Sequence, residues 1–336
     1  MTAHTLPVKK KTIVLVVMPN ARLLDIAGPG DVFSMASKLT SPGEDAYQLV
    51  LASATGEKLV TTPSGITVVC ELGLMDIDFP IDTLLIGGFS FTAMDQLPAG
   101  FYEWLAAHYP AIQRMGSVCT GTFALARAGL LHHRSATTHW QFCEKLAADF
   151  PLVKVDSSPF YVKDGNIYTS GGVTSGMDLA MALVEEDLGR EVALQVARRL
   201  VLHLKRPGGQ LQFSSLLPAY ELESPLAARI YPWLRQNIQR DIHVEDMAAQ
   251  ASMSPRNFAR VFGKEKQMTP AKYLEKLRVE TARQYLENTD LGMEQIAEKC
   301  GLGGLVSMRR TFLRHLRISP SYYRTAFRTA LTGEMA

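Results

Sequence analysis

Two stretches near the carboxy end of this chain repeat one pattern. Residues 246–273, DMAAQASMSPRNFARVFGKEKQMTPAKY, are answered by residues 295–323, QIAEKCGLGGLVSMRRTFLRHLRISPSYY. Phe262 precedes Phe312 by 50 residues, as Pro270 precedes Pro320 and Tyr273 precedes Tyr323, while Met247-Ala248 precede Ile296-Ala297 by 49. A duplicated apolar pattern requires each copy to be one supersecondary unit with a buried face of its own. Each copy reads as a short helix, a tight turn and a second helix. Ser254-Pro255, Thr269-Pro270 and Ser319-Pro320 place a capping hydroxyl before a proline at the first helical position, which marks a helix start. Between the copies, PAKYLEKLRVETARQYLEN (270–288) keeps apolar residues at the 3.6-residue period and forms one long helix.

A helix–turn–helix unit can rest its first helix on a DNA backbone and lay its second in the major groove, which admits one helix and presents base edges to it. In the first copy the second helix turns Phe258, Val261 and Phe262 inward and offers Arg256, Asn257, Arg260 and Lys264. In the second copy Met308 and Phe312 turn inward, and Ser307, Arg310 and Arg314 face out. A solvated helical bundle or a protein-docking module has the same pattern. The charge distribution favours an anionic partner: residues 226–336 hold 18 Lys+Arg against 11 Asp+Glu, net +7, whereas residues 1–225 hold 17 against 22, net −5.

MAAQASMSPRNFARVF…MTPAKYLEKLRVETARQYLENTDLGMEQIAEKCGL…RRTF…SPSYYR resembles the AraC/XylS-type DNA-binding domain over residues 226–328. The resemblance implies two helix-turn-helix units joined by a long helix, a double-stranded DNA operator as partner, and reading residues at Arg256, Arg260, Val306 and Arg310. The chain departs from the family at Gln267 and Arg317, where glycine is common because left-handed backbone costs other residues ~1 kcal/mol. It also has Gly301-Leu302 in place of Gly-Phe in a glycine-rich second turn, so the second unit is expected to be looser or less strict in reading sequence.

Residues 11–200 have another rhythm. TIVLVVM (12–18), YQLVLAS (47–53), DTLLIGG (82–88) and AIQRMGSV (111–118) are buried-strand runs. PGDVFSMASKL (29–39), FYEWLAAHY (101–109) and GTFALARAGLL (121–131) are helical. The alternation predicts an α/β sandwich with a mainly parallel sheet. Late strands join at Asp164-Gly165, and a helix pair over 174–202 breaks near Gly189. KRPGGQLQFSSLLPAYELESP, at 205–225, has no period and reads as linker. The expected domains are therefore 11–203, a linker at 204–225, and an all-α domain at 226–330.

SVCTG sets Cys119 between a strand and a helix, the place of a nucleophile elbow. A thiol aimed at a helix N-terminus is expected to ionise more readily. The amides of Gly87 and Gly88, at the same sheet edge, can hold an oxyanion or a ligand carboxylate. A small buried core residue is the alternative for Cys119. Thr174, Ser175 and Gly176 open a helix and can bind an anion or simply cap.

KTIVLVVMPNARLLDIAGPGDVF…DTLLIGG…GSVCTGTFALARAGLL…ATTHW…TSGGVTSGMDLAMALVEEDLG resembles the DJ-1/PfpI-type, class I glutamine-amidotransferase-like domain over residues 11–203. The resemblance implies a reactive cysteine at Cys119, an acidic partner at Asp25 in the first strand-to-helix loop, and a histidine at His139. Thr120 stands where the protease-like branch has histidine. The isonitrile-hydratase-like branch shares that threonine. The fused order resembles the GlxA-type transcription regulators. It implies a homodimer with a small-molecule effector of amino-acid or quaternary-amine class, held by Asp25, Gly87, Gly88, Cys119, Thr120 and His139. Catalysis is not expected. Two alternatives stay open: an isonitrile-hydratase or amidase enzyme using Cys119, Asp25 and His139, and a thiol-based redox sensor.

No apolar run approaches the ~20 residues of a membrane helix, so no membrane partner is expected. The run Ile13–Met18 is too short for a signal peptide. Cys70, Cys119, Cys143 and Cys300 show no metal spacing. The expectation is a reduced, cytoplasmic protein with no metal and no cofactor.

Overall fold

The computed structural model describes residues 10–40, 45–214, 216 and 225–328. They form two compact units that divide between Arg206 and Pro207.

The first unit begins with β1 (Lys11–Val17), α1 (Leu23–Ser37), β2 (Tyr47–Ser53), β3 (Leu59–Thr61), β4 (Thr67–Val69), β5 (Leu72–Gly73) and β6 (Thr83–Ile86). It continues with α2 (Phe101–His108), β7 (Arg114–Val118), α3 (Thr122–Arg127), β8 (Ser135–Ala136), α4 (Cys143–Asp149) and β9 (Lys154–Val155). It closes with β10 (Tyr161–Asp164), β11 (Ile167–Ser170) and α5 (Thr174–Arg199). Seven strands make one sheet in the order β10-β11-β7-β6-β1-β2-β5, parallel except for the β10–β11 hairpin. Helices cover both faces of such a sheet, so its central strands are apolar throughout instead of alternating. Ile13 to Val17 and Thr83 to Ile86 are accordingly all buried.

At the far end of β7 from Cys119, Arg114 donates to Asp187 of α5 at 2.6 Å, with Lys11 and the Tyr47 hydroxyl on the same carboxylate. The network ties α5 to three strands. Beyond it Gly189, at φ +83°, breaks the helix where the sequence indicates.

Two helices differ from the sequence reading. The first begins at Leu23, six residues before Pro29, and carries that proline inside. Proline normally marks a helix start. Here close packing on α5 overrides it, since a Cβ on Gly28 would lie 2.8 Å from Met177 Cγ. The third ends at Arg127 because Gly129, at φ +75°, turns the chain left-handed.

The second unit contains α6 (Pro225–Asn237), α7 (Val244–Gln250), α8 (Pro255–Lys266), α9 (Pro270–Asn288), α10 (Met293–Lys299), α11 (Leu305–Leu316) and α12 (Pro320–Phe327). It has two cores, one around Phe258, Phe262 and Tyr273 and one around Met308, Phe312 and Tyr323. The long helix α9 supplies Leu274 and Leu277 to the first and Val279, Ala282 and Leu286 to the second. Thr269 and Ser319 cap their helices through the amides of Lys272 and Tyr322, whereas Ser254 makes no such bond.

Gln267 and Arg317 are left-handed, at φ +52° and +62°. In the second turn Gly301, at φ +63°, is closely packed: a Cβ there would lie 2.4 Å from the Ile238 carbonyl oxygen. That glycine allows close contact with the residue that follows α6.

Of the stretch read as linker, residue 215 and residues 217–224 lie outside the described residues, as do residues 329 and 330 of the expected domain end. Parts of the remainder are packed, while Lys205, Pro207, Gly208 and Phe213 are exposed. Leu204 lies against the first core. The Gln212 and Ser214 carbonyls accept from Arg283, and Leu216 is buried in the second unit. Composition hides this because the hydrogen bonds are made by backbone carbonyls and the packing by isolated leucines without a period.

Candidate functional site

Strand β7 ends at Val118 and Cys119 follows at φ +57°, left-handed for a residue with a side chain. The strain is over-determined from three sides. A Cβ on Gly121 would meet the Ile86 carbonyl oxygen at 2.3 Å, one on Gly88 the Cys119 Cβ at 2.8 Å, and one on Gly172 the same atom at 2.4 Å. Thr120 clamps the turn. Its hydroxyl accepts from the Phe89 amide and donates to the Phe89 carbonyl, both at 2.7 Å. Thr120 lines the cavity but its hydroxyl is committed to this clamp.

Beside the elbow lies a cavity of about 480 Å³. Asp25 and Cys119 form part of its wall, Phe89, Phe91 and Phe142 supply aromatic surface, and the exposed Arg22 also lines it. The ring pairs Phe89–Phe91 and Phe91–Phe142 meet edge to face at 6.3 and 5.2 Å.

Asp25 sits in the first turn of α1, not in the preceding loop, and is 1 % exposed. Its Oδ1 accepts from the Val173 amide at 2.7 Å, which holds Val173 at φ +50°. Its Oδ2 is buried and, among the described residues, accepts no hydrogen bond of good geometry, with the Gly88 amide only nearby. Burial pushes the carboxyl up to about 6, and the Val173 amide, the nearby Gly88 amide and Arg22 only partly oppose it.

This has a consequence for stability. The folded value lies above 3.8, so the fold favours the neutral acid. The ionised form therefore penalises the fold increasingly from pH 4 to 6, by about 3 kcal/mol once complete. The stability difference between the native chain and Asp25→Asn should grow over that range in favour of asparagine. Urea unfolding across pH measures it, and a pH-independent difference would contradict the assignment.

The thiol departs from the expected direction. Burial and the neighbouring Asp25 push Cys119 up to about 12, against the smaller pull of the Thr120 amide. A group near a helix start ionises only if it is solvated or charge-compensated, and Cys119 is 7 % exposed. At neutral pH it is held as the thiol. Alkylation by iodoacetamide should be far slower than that of free cysteine and still rising above pH 9. A midpoint near 7 would refute a buried neutral thiol.

Gly87 is unavailable to a ligand, because its amide donates to the Val16 carbonyl at 3.1 Å. Gly88 alone of the pair lines the cavity. His139 is one ring removed: it packs on Phe142 at 5.9 Å, and its Nδ1 accepts from the Gln141 amide at 3.3 Å. Burial and Arg22 lower its pKa. Among the described residues no hydrogen bond joins it to Cys119. Arg22, the three phenylalanines and Gly172-Val173 were not singled out from sequence. Only SGGVTS, with two glycines before a helix start, signals the last pair.

In the second unit Arg256, Asn257, Arg260 and Lys264 are all exposed on α8, and Arg260 donates to Asn257 Oδ1 at 2.9 Å. On α11, Val306 and Arg310 are exposed and Ser307 is half-buried. Arg314, expected to face DNA, is exposed but paired with Glu275 of α9 at 2.8 Å, and His315 meets the same carboxylate at 2.6 Å. It braces two helices. Arg309 is a further exposed cation on the same helix.

Residues 11–186 match the DJ-1/PfpI family, and residues 247–326 match a helix-turn-helix domain. The chain is 25 % identical over 310 residues to the HTH-type transcriptional regulator GbdR of Pseudomonas aeruginosa, covering 92 % of this chain and 83 % of that one. It is 29 % identical over 183 residues to the isonitrile hydratase of Pseudomonas putida, covering 54 % and 74 %. The crystal structure of Drosophila melanogaster DJ-1beta superposes with a TM-score of 0.50 at 18 % identity, over 58 % of this chain and all of that one. The chain belongs to the DJ-1/PfpI family. Within it, the appended helix-turn-helix domain makes it a DNA-binding transcription regulator of AraC type. Among the described residues no helix is long and apolar enough to cross a membrane.

Proposed function

We propose that this regulator's DNA grip answers to a small zwitterionic amine, of amino-acid or betaine class, bound in the cavity beside Cys119. The observation that carries the reading is Asp25, a buried carboxylate whose second oxygen has only the nearby Gly88 amide among the described residues, beside a cavity faced by three phenylalanine rings. Such an acid is costly unless a cation meets it. Aromatic faces attract the same cation, and Arg22 suits the carboxylate end. An effector of this kind favours ionised Asp25, so its affinity should rise with pH through about 6.

The same carboxylate connects the cavity to the domain boundary. Asp25 holds Val173, and α5 starts at the next residue. Arg206, the last residue of the first unit, pairs with Asp178 of that helix at 2.5 Å and donates to Thr174 and Ser175 at 3.1 and 3.2 Å. Its guanidinium lies 3.8 Å from the Phe160 ring centre. A ligand that moves Asp25 therefore acts on the helix turn that fixes the exit of the chain. The effector must bind two arrangements unequally to change DNA affinity, and a homodimer on paired half-sites is the expected acting form.

A thermal-shift panel of amino acids and betaines on the full chain tests this. One zwitterion should raise the melting temperature, more at pH 8 than at pH 5, and Asp25→Asn should abolish the shift. Stabilisation only by neutral or anionic compounds would refute it. Cysteine-dependent catalysis is not expected of a thiol held neutral by burial and by the Asp25 carboxylate, with no histidine hydrogen-bonded to it among the described residues, so Cys119→Ser should leave effector and DNA binding in place.

DNA contact is assigned to α8 and α11. Arg256→Ala and Arg260→Ala should each weaken operator binding by about 1–3 kcal/mol, and loss of a phosphate contact should reduce the slope of log affinity against log salt by about one. Titrations at several salt concentrations check this. Unchanged affinity and slope in both variants would move the interface elsewhere.

A further inference from the structure

The two reading helices are equally long, and each sits on its own core through matched buried residues, Phe258 and Phe262 in α8 and Met308 and Phe312 in α11. Residues 50 apart therefore hold the same place on the outward face. Arg260 is matched by Arg310, but Arg256 is matched by Val306. The first-turn place is thus cationic in one unit and apolar in the other.

Val306 is 79 % exposed, more than any other large apolar side chain described in the second unit. It follows Gly303 and Gly304, at φ +68° and +89°, and a Cβ on Gly304 would meet nothing within 4 Å. The start of α11 is therefore stripped to backbone on that side, so a flat surface can come close to Val306. The charge of the two helices differs in the same sense. Lys264 of α8 has no ion pair among the described residues, while its counterpart Arg314 is drawn onto Glu275.

We infer that the two units read chemically different bases: Arg256 takes the acceptor edge of a guanine, and Val306 packs on the C5-methyl group of a thymine. Guanine presents two acceptors in the major groove that match a guanidinium, and thymine is the base that presents a methyl there. An unpaired valine adds no hydrogen bond, so the methyl is what it can discriminate. This rests on the DNA-binding reading above and gives each chain a polarity on its operator.

The full chain first selects its motif from random duplexes. Each thymine of that motif is then replaced in turn by uracil, which removes the methyl and keeps every hydrogen-bonding group. One position should respond, with affinity falling about fourfold, the value of one buried methyl. Val306→Ala should erase that response while binding uracil duplex as the native chain does. Because Val306 is exposed, this change leaves the core untouched. In a fresh selection Val306→Arg should prefer guanine at the same position. A clear motif with no methyl-sensitive thymine, or one equally sensitive in Val306→Ala, would overturn the inference while leaving DNA binding intact. Selection of no motif by the native chain would overturn DNA reading itself.

Discussion

Phe312→Ala should cost about 3–5 kcal/mol, the range for removing a buried phenylalanine, and should abolish operator binding at physiological temperature. Phe312 is fully buried, meets Tyr323 edge to face at 6.2 Å and lies among residues from α9, α10, α11 and α12. Its counterpart Phe262 lies in the other core, against Phe258 and Tyr273. Because α9 runs through both, neither truncation should stay local. Phe262→Ala and Phe312→Ala should produce similar losses, and the double variant should lose less than their sum once the shared helix has melted. Trp233 of α6 lies against the Phe262 core. Its fluorescence, with Trp104 and Trp140 replaced by phenylalanine, follows this unit separately from the sheet. Independent, additive losses would show that the two copies are separate bodies.

Gly172→Ala should be nearly as damaging in the first unit. The residue is left-handed, at φ +91°, and a Cβ there would lie 2.4 Å from Cys119 Cβ and 2.7 Å from both Cys119 Cα and Sγ. Those atoms belong to a strained turn clamped by Thr120, so they cannot retreat cheaply. Backbone strain of ~1 kcal/mol and overpacking of about 1–3 kcal/mol predict a loss of about 2–4 kcal/mol. Gly189→Ala is the control. It has φ +83° and ψ 168°, backbone nearly confined to glycine, with nothing within 4 Å of the new atom, so it should cost only the backbone share, about 1–3 kcal/mol. Urea unfolding read at Trp104 and Trp140 compares them. Equal losses would show that the elbow is not tightly packed around Gly172.

What was legible in the sequence was what repeats or alternates locally. Phe262 and Phe312, Pro270 and Pro320, and Tyr273 and Tyr323 fall in equivalent places because their spacing is a property of the chain itself. The parallel sheet follows from four apolar runs separated by helical patterns, and the break at Gly189 from one residue. The place of the elbow was legible because the apolar run ends at Val118 and a helical pattern starts at Gly121, but the pattern alone fitted a small buried core cysteine equally.

The remainder depended on contacts distant in sequence. Pro29 signals a helix start on its own terms, and only the approach of Met177 to Gly28 shows why α1 runs through it. Gly87 and Gly88 are indistinguishable as letters, but the sheet claims the amide of the first. The acidity of Cys119 was misjudged in direction, since burial and Asp25 outweigh the helix start. Arg314 has the exposure of a DNA contact, and its pairing to Glu275 crosses 39 residues. No pattern announced Arg206 as the brace of α5, because its partners lie about thirty residues upstream.

The central claim is that the duplicated bundle reads duplex DNA. Binding-site selection by the full chain, carried out in parallel with Arg256→Ala/Arg260→Ala, tests it most directly. The native chain should enrich a motif with two elements about one helical turn apart, held less tightly as salt rises, and the double variant should lose the element read by α8 and keep the other. An unenriched library, or the same motif at the same affinity from both proteins, would contradict the account.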